Sequence, residues 1–245
     1  PHTETERYHE TFHAIEEECR ARFHDTSSII PKGRAGIGDA LLHAGKLLRE
    51  QHVAQVLLVG ADSYLSAAVI EHYLDLERLL CSGNSDGFIP GEGAGALLLQ
   101  LPQAGASGLH VLGVGTAREQ ATPDGDVPNR AIGLTQSIRQ ASVQAQVPIG
   151  QLEFRLTDFN GEQYFAKEMA YACTRVMADA CDDLDGSFPM LHIADGVGET
   201  GAAAGVLGLA YLDSVMARVD GPGEQALLHY GNDDGRRTAL VVEYR

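Results

Sequence analysis

Ser85-Asp86-Gly87-Phe88-Ile89-Pro90-Gly91-Glu92-Gly93-Ala94-Gly95 sets four glycines within eleven residues and runs straight into Ala96-Leu97-Leu98-Leu99. Glycine at this density lets backbone approach backbone, and the apolar run predicts a strand over Gly93 to Gln100. Upstream, Val53 to Gly60 is a second near-continuous apolar run. Both are expected to be strands buried on two faces. Tyr64 to Leu80, between them, alternates at helical period. A further helix over Ala35 to Glu50 opens on the small residues Ala35, Gly36, Gly38 and Ala40. Residues 25–34 read as a loop, and 6–24 as an amphipathic helix on Tyr8, Phe12, Ile15, Cys19 and Phe23.

Past the Pro/Gly break at 102–108 the pattern starts afresh. Strands are predicted at Leu109 to Thr116, Phe154 to Phe159, Met190 to Ile193, Gln225 to Tyr230 and Arg237 to Glu243, with helices at Ala131 to Gln146, Glu162 to Asp179 and Gly201 to Ala217. Two stretches echo each other: small-residue helix, strand, Gly-Ala-Asp turn and later strand over 35–100, then small-residue helix, strand, Gly-Asn-Asp turn and strand over 201–243. The economical reading is an internal duplication in which the small residues let two buried helices meet between two sheets. This divides the chain into 1–34, 35–105 and 106–245.

The glycine stretch is similar to the DGF-x-x-GEGAGA segment of β-ketoacyl synthases, in the thiolase-like superfamily. Gly38-Asp39-Ala40 through Val56-Leu57-Leu58-Val59-Gly60-Ala61-Asp62-Ser63 resembles the helix and strand that follow the family's nucleophile. Gly201-Ala202-Ala203-Ala204-Gly205 resembles its GAAG helix start. The resemblance covers about 35–245 and implies an α/β thiolase fold with duplicated halves in α-β-α-β-α layers. Residues 1–34 match nothing in the family, and the long stretch that precedes its nucleophile has no counterpart, so the first half is expected to be incomplete.

The family's chemistry uses a Cys at a helix N-terminus, where the dipole favours the thiolate. Two His residues then stabilise the developing enolate oxygen. By the family's spacing the nucleophile position falls on Arg34, the first His position on Asn160 and the second on Glu199. The family's Lys has no counterpart between Ala194 and Gly198, and its C-terminal loop is matched only faintly by Tyr230-Gly231-Asn232-Asp233-Asp234-Gly235. No His stands anywhere from 111 to 191. Guanidinium is neither nucleophile nor base at neutral pH, so an Arg34–Glu199 ion pair filling the old pocket is the simpler reading. Asn160-Gly161 reads as a turn; at Gly198-Glu199-Thr200, Thr200 is expected to cap a helix whose dipole suits Glu199.

The resemblance therefore implies a ketosynthase-like protein of fatty-acid or polyketide metabolism that lacks condensing activity. It would act as a non-catalytic partner or acyl-pocket subunit, in a homodimer or in a heterodimer with an active synthase, with acyl carrier protein or acyl-CoA as possible further partners. One rival is an acyltransferase with a non-standard nucleophile, for which Cys81, in a loop, is the candidate. Cys19, Cys173 and Cys181 fall on helical patterns and are expected in core or flank positions. Other rivals are a structural interaction protein, or a zinc site at His9-Glu10-Thr11-Phe12-His13, which spells H-E-x-x-H on a helix. Two solvated helix histidines are the plainer alternative in a chain with ten His.

The 245 residues carry 18 Lys and Arg against 34 Asp and Glu, a net charge of −16. Such a surface repels phosphate backbones, which argues against nucleic acid, and it also opposes an acidic carrier protein unless a basic patch exists. No apolar run is long enough to span a membrane. The four cysteines show no framework spacing, so a reduced, cytoplasmic protein without cofactor is expected.

Overall fold

The computed structural model describes residues 4–178 and 188–245; Cys181 and the end of the helix expected to reach Asp179 lie outside them. Residues 1–31 and 32–245 form two compact units. The first holds α1 (Glu4–Cys19). Phe12 meets Phe23 edge to face at 5.5 Å, and the Phe23 N–H donates to Glu16 Oε1 at 2.8 Å. Cys19, expected at a core or flank position, is exposed.

The second unit runs α2 (Gly36–Glu50), β1 (Val56–Ser63), α3 (Ala67–Asp75), β2 (Glu92–Leu99), β3 (Leu109–Arg118), α4 (Ile132–Ala145), β4 (Phe154–Thr157) and α5 (Gln163–Ala178). It continues with β5 (Met190–His192), α6 (Ala194–Val197), α7 (Ala204–Met216), β6 (Gln225–Gly231) and β7 (Arg236–Tyr244). Strands β1 and β2 form an antiparallel pair, and the other five form a sheet in the order β3-β7-β6-β4-β5. Helices α2 and α7 are shared between the two sheets. Ile37, Leu41, Val206, Leu209 and Leu212 join Leu228, Tyr230, Leu240 and Val242 in one core, and Leu58, Leu97 and Leu99 of the two-stranded sheet pack against it. On the far face of the five-stranded sheet, Ile138 and Ala141 of α4 and Ala172 and Val176 of α5 cover Leu227, Ala239 and Val241.

The small residues do what their pattern predicts. A Cβ on Gly205 would stand 2.5 Å from Ile37 Cβ, and one on Gly38 would stand 2.6 Å from the Thr238 side chain. Only glycine lets α7 come this close to α2 at Gly205, and α2 this close to β7 at Gly38.

Three expectations need correction. β1 and β2 are not buried on both faces: Leu57, Val59 and Leu98 are each about 60% exposed. The apolar run correctly marks strands, but no described element of this unit covers their outer face. Gly60-Ala61-Asp62 continues β1 and is not a turn; Asp62 is held there because its Oδ2 accepts from the Ala202 N–H at 2.8 Å. The helix expected over 64–80 shortens to α3, capped by Ser66 through the Val69 N–H. Beyond Leu76, Glu77 takes a left-handed φ of 54°, and the chain turns to bridge Leu79 with Phe88. Among the described residues no helix is long and apolar enough to cross a membrane.

Gly205→Val should lower the unfolding free energy by about 1–3 kcal/mol, because the methyls must force α2 from α7. An unchanged urea midpoint would contradict the close helix contact.

Candidate functional site

The glycine stretch at 85–95 is where two segments are clamped. Its Phe88 N–H donates to Arg78 O at 3.0 Å, and the Leu80 N–H returns to Phe88 O at 2.9 Å. Further along, the Gly91 N–H donates to Glu199 O at 3.0 Å, and the Glu199 N–H to Ile89 O at 2.8 Å. A Cβ on Gly91 would lie 2.1 Å from Val197 O, so no larger residue could stand there without breaking this pairing. The stretch thereby fixes Arg78 on one side and Glu199 on the other.

Arg34 is placed by a third segment. Asn232, in the β6–β7 turn, accepts from the Ala35 N–H at 2.9 Å through Oδ1. Its Nδ2 donates to Lys32 O at 2.6 Å. Gly33, at φ +55°, sits against this side chain, and the loop delivers Arg34 to the interior with 5% of its surface exposed.

The three positions that the resemblance assigns to the family's Cys and two His converge. Arg34 Nη1 donates to Glu199 Oε2 at 2.5 Å, and Asn160 Nδ2 donates to the same oxygen at 2.9 Å. The Gly201 N–H donates to Glu199 Oε1 at 2.9 Å. Glu199, rather than the expected Thr200, thus satisfies the start of the 3₁₀ turn that precedes α7; a carboxylate reaches a free amide at a helix start and complements its dipole. Asn160 sits in a turn completed by Gly161 at φ +112°, but its side chain faces the ion pair.

A second guanidinium completes the centre. Arg78 forks onto Glu162 at 2.7 and 3.1 Å and onto Asp233 at 2.9 and 3.0 Å. Tyr73 O–H donates to Asp233 at 3.2 Å. Arg34 also lies 3.4 Å from Asp233 and 3.8 Å from Asp158, with its guanidinium over the Phe165 ring at 4.7 Å. Arg78, Glu162, Asp158 and Asp233 were not singled out as site residues by the sequence, because no motif carries them. An arginine inside the apolar Leu76–Leu80 stretch was the available signal, since a buried guanidinium demands carboxylates.

Two guanidiniums face four carboxyl groups, and the titrations follow from that imbalance. Burial works against the charge on Arg34, but Glu199, Asp158 and Asp233 outweigh it and raise its pKa further. Burial also opposes ionisation of Asp233; the Arg78 hydrogen bonds and Arg34 overcome it and hold this carboxyl below its ordinary range. Asp158 goes the other way. Burial, its largest influence, pushes it up to about 6 against the pull of Arg34 and of the Gly231 N–H.

The arrangement contains no thiol, imidazole or lysine amine. Each guanidinium is engaged by carboxylates, which suits a lock better than a nucleophilic site. Cys81 is exposed in a turn whose backbone pairs with Asn84. Cys173 is buried against Arg155, and burial pushes its thiol pKa up. On α1 His9 and His13 are exposed, and His13 lies 3.4 Å from Glu16. Among the described residues no group of three or more His, Cys, Asp or Glu is placed to hold a metal ion. A cavity of about 590 Å³ between α2, β2 and β3 and a shallow one of about 870 Å³ on α4 lie elsewhere, and none of Arg34, Asn160 and Glu199 lines either.

No family model matches the chain, and no curated protein does. Solved structures do match. The AntDE:AntF complex, a type II PKS acyl-carrier protein with its ketosynthase, aligns with TM-score 0.76 at 18% identity over 95% of this chain and 66% of that one. The ketosynthase from module 6 of the bacillaene synthase of Bacillus subtilis 168 aligns with TM-score 0.72 at 17% identity over 87% and 46%. The ketosynthase ApeO in complex with its chain length factor ApeC, from Xenorhabdus doucetiae, gives 0.70 at 14% over 97% and 71%. The fold is therefore the thiolase-like α/β fold of ketosynthases and chain length factors. The chain spans about half to two thirds of the length of most such structures.

Asp158 supplies a pH test. Its folded pKa lies above the unfolded one, so the folded state binds the extra proton and stability falls as pH rises from about 4 to about 6. Asp158→Asn should flatten that slope in urea unfolding and raise stability at pH 7 by about 1–3 kcal/mol. Loss of stability at pH 7 would mean that the charged form is the one the fold needs.

Proposed function

We propose that this protein is a non-catalytic ketosynthase-fold subunit that works by pairing with an active, cysteine-bearing synthase. The observation that carries the reading is the Arg34–Glu199 pair with Asn160 on the same carboxylate oxygen, at the three positions that the resemblance assigns to the family's Cys and two His. A guanidinium held by carboxylates cannot attack a thioester, and the carboxamide of Asn160 cannot exchange a proton as imidazole does. The ketosynthase–chain length factor and ketosynthase–carrier structures among the neighbours support a partner synthase as the first protein to test, with carrier protein reached through it. A filled centre speaks against an acyl pocket at Arg34 and also suits a purely structural use of the fold, which the same experiment separates.

Native mass spectrometry of the protein from its own host should yield a heterodimer with a synthase that carries the full Cys-His-His set. A homodimer or monomer as the sole species would overturn the pairing. Incubation with a short acyl-CoA should leave the intact mass unchanged, and Cys81→Ala should leave the activity of the assembled pair intact. An acyl adduct lost in Cys81→Ala would instead establish a non-standard nucleophile.

A further inference from the structure

Acidic side chains are missing from one part of this acidic chain. It carries 34 Asp and Glu, yet the 14 residues of α4 include none. The 16 residues of α5 include only Glu168, buried on Arg237 at 2.7 Å. What the two helices expose is basic or neutral. Arg130, Arg139 and Arg175 line the groove of about 870 Å³ on α4, and among the described residues no carboxylate lines it with them. Arg175 donates to the Arg130 carbonyl oxygen, which ties α5 to the chain entering α4. A carbonyl takes the hydrogen bond without neutralising the guanidinium.

Apolar seats stand among the arginines. Ile132 and Val143 are 60% and 77% exposed. They lie three turns apart, about 16 Å along one face of α4, with Gln136 and Arg139 between them. α4 packs on the sheet through Leu134, Ile138 and Ala141, so the two exposed residues take no part in that core. The edge of β3 beside the groove is closed. The Val114 N–H donates to Gln144 Oε1 at 2.6 Å, and the Thr116 N–H to Gln140 Oε1 at 3.2 Å. A strand finds no free ladder there, whereas a helix needs none.

We infer that the outer face of α4 and α5 docks an acidic amphipathic helix of a partner protein. Its apolar residues, at three-to-four spacing, sit on Ile132 and Val143, and its Asp and Glu meet Arg130, Arg139 and Arg175. Charge selects this class of occupant. The net charge of −16 repels acidic bodies at long range, but physiological salt screens that repulsion beyond about 8 Å. A single helix touches only the acid-free patch. A nucleic-acid duplex or an anionic bilayer is wider than the patch and meets the acidic surroundings too. A small anion needs a site closed around it, and this groove is shallow. α4 and α5 cover the face of the five-stranded sheet away from α2 and α7, and none of Arg34, Asn160 and Glu199 lines the groove. The contact is one of assembly; it goes beyond the synthase pairing and does not rest on it.

A benzophenone carried at Val143, in the protein produced in its host, tests the assignment by photo-cross-linking. The captured segment should belong to another protein, be rich in Asp and Glu, and be apolar at helical spacing. Arg130→Glu with Arg175→Glu should lower the yield at least about fivefold. In solution the whole chain should bind a synthetic amphipathic Glu/Leu helix, read by fluorescence anisotropy. That binding should weaken at least about fivefold in the same double variant, and likewise in Ile132→Ser with Val143→Ser. The urea midpoint should hold in both, because all four side chains are exposed. Cross-links to a second copy of this chain, to nucleic acid or to lipid would overturn the inference. So would failure to bind the Glu/Leu helix, binding that survives both variants, or equal binding of a scrambled peptide of the same composition. Absence of the synthase pairing would leave each of these readouts in place.

Discussion

The pairing of buried guanidiniums with carboxylates is the constraint on which the second unit depends. Arg34 and Arg78 are 5% and 7% exposed, too deep to be solvated by water, so each must be met by carboxylates held in place. Those carboxylates come from distant segments: Glu162 after β4, Glu199 before α7, Asp233 in the β6–β7 turn. Satisfying the guanidiniums draws the loop before α2, the segment after α3 and both halves of the five-stranded sheet to one point. A fold with a nucleophile here would need a cleft open to substrate. This one fills the space with paired charge and with Phe165.

The glycine stretch is the backbone counterpart of that lock. Gly87 and Gly91 allow it to run against the carbonyls of Arg78 and Val197, so that Arg78 and Glu199 arrive with their side chains facing the same centre. In the structure this stretch positions an ion-pair network. Backbone pattern and side-chain chemistry are separate here, since the glycines set the approach of two segments and the charged groups set what that approach holds.

That separation explains what was legible in the sequence. Apolar periodicity found nearly every strand and helix because both sheets pack on α2 and α7 through regular faces. Gly205 announced the close contact of α7 with α2, and Gly38 that of α2 with β7, through their size alone. Family spacing led to Arg34, Asn160 and Glu199, and the three meet on one oxygen. Asp233 was visible only as part of a turn, and Arg78 only as a member of a helix that proved shorter, because their partners are far away in the chain and local pattern carries no record of them. The exposure of Leu57, Val59 and Leu98 was invisible for the opposite reason: an apolar run marks a strand but carries no record of what packs against its outer face.

A double-mutant cycle between Arg34→Met and Glu199→Gln, read by urea unfolding at pH 7, addresses the lock most directly. The account expects each single change to destabilise and the two to be coupled by about 1.5–3 kcal/mol, as for a buried pair within one network. Near-zero coupling with unchanged single-variant stability would mean that Arg34 and Glu199 are not holding the fold and that their place at the centre serves another purpose.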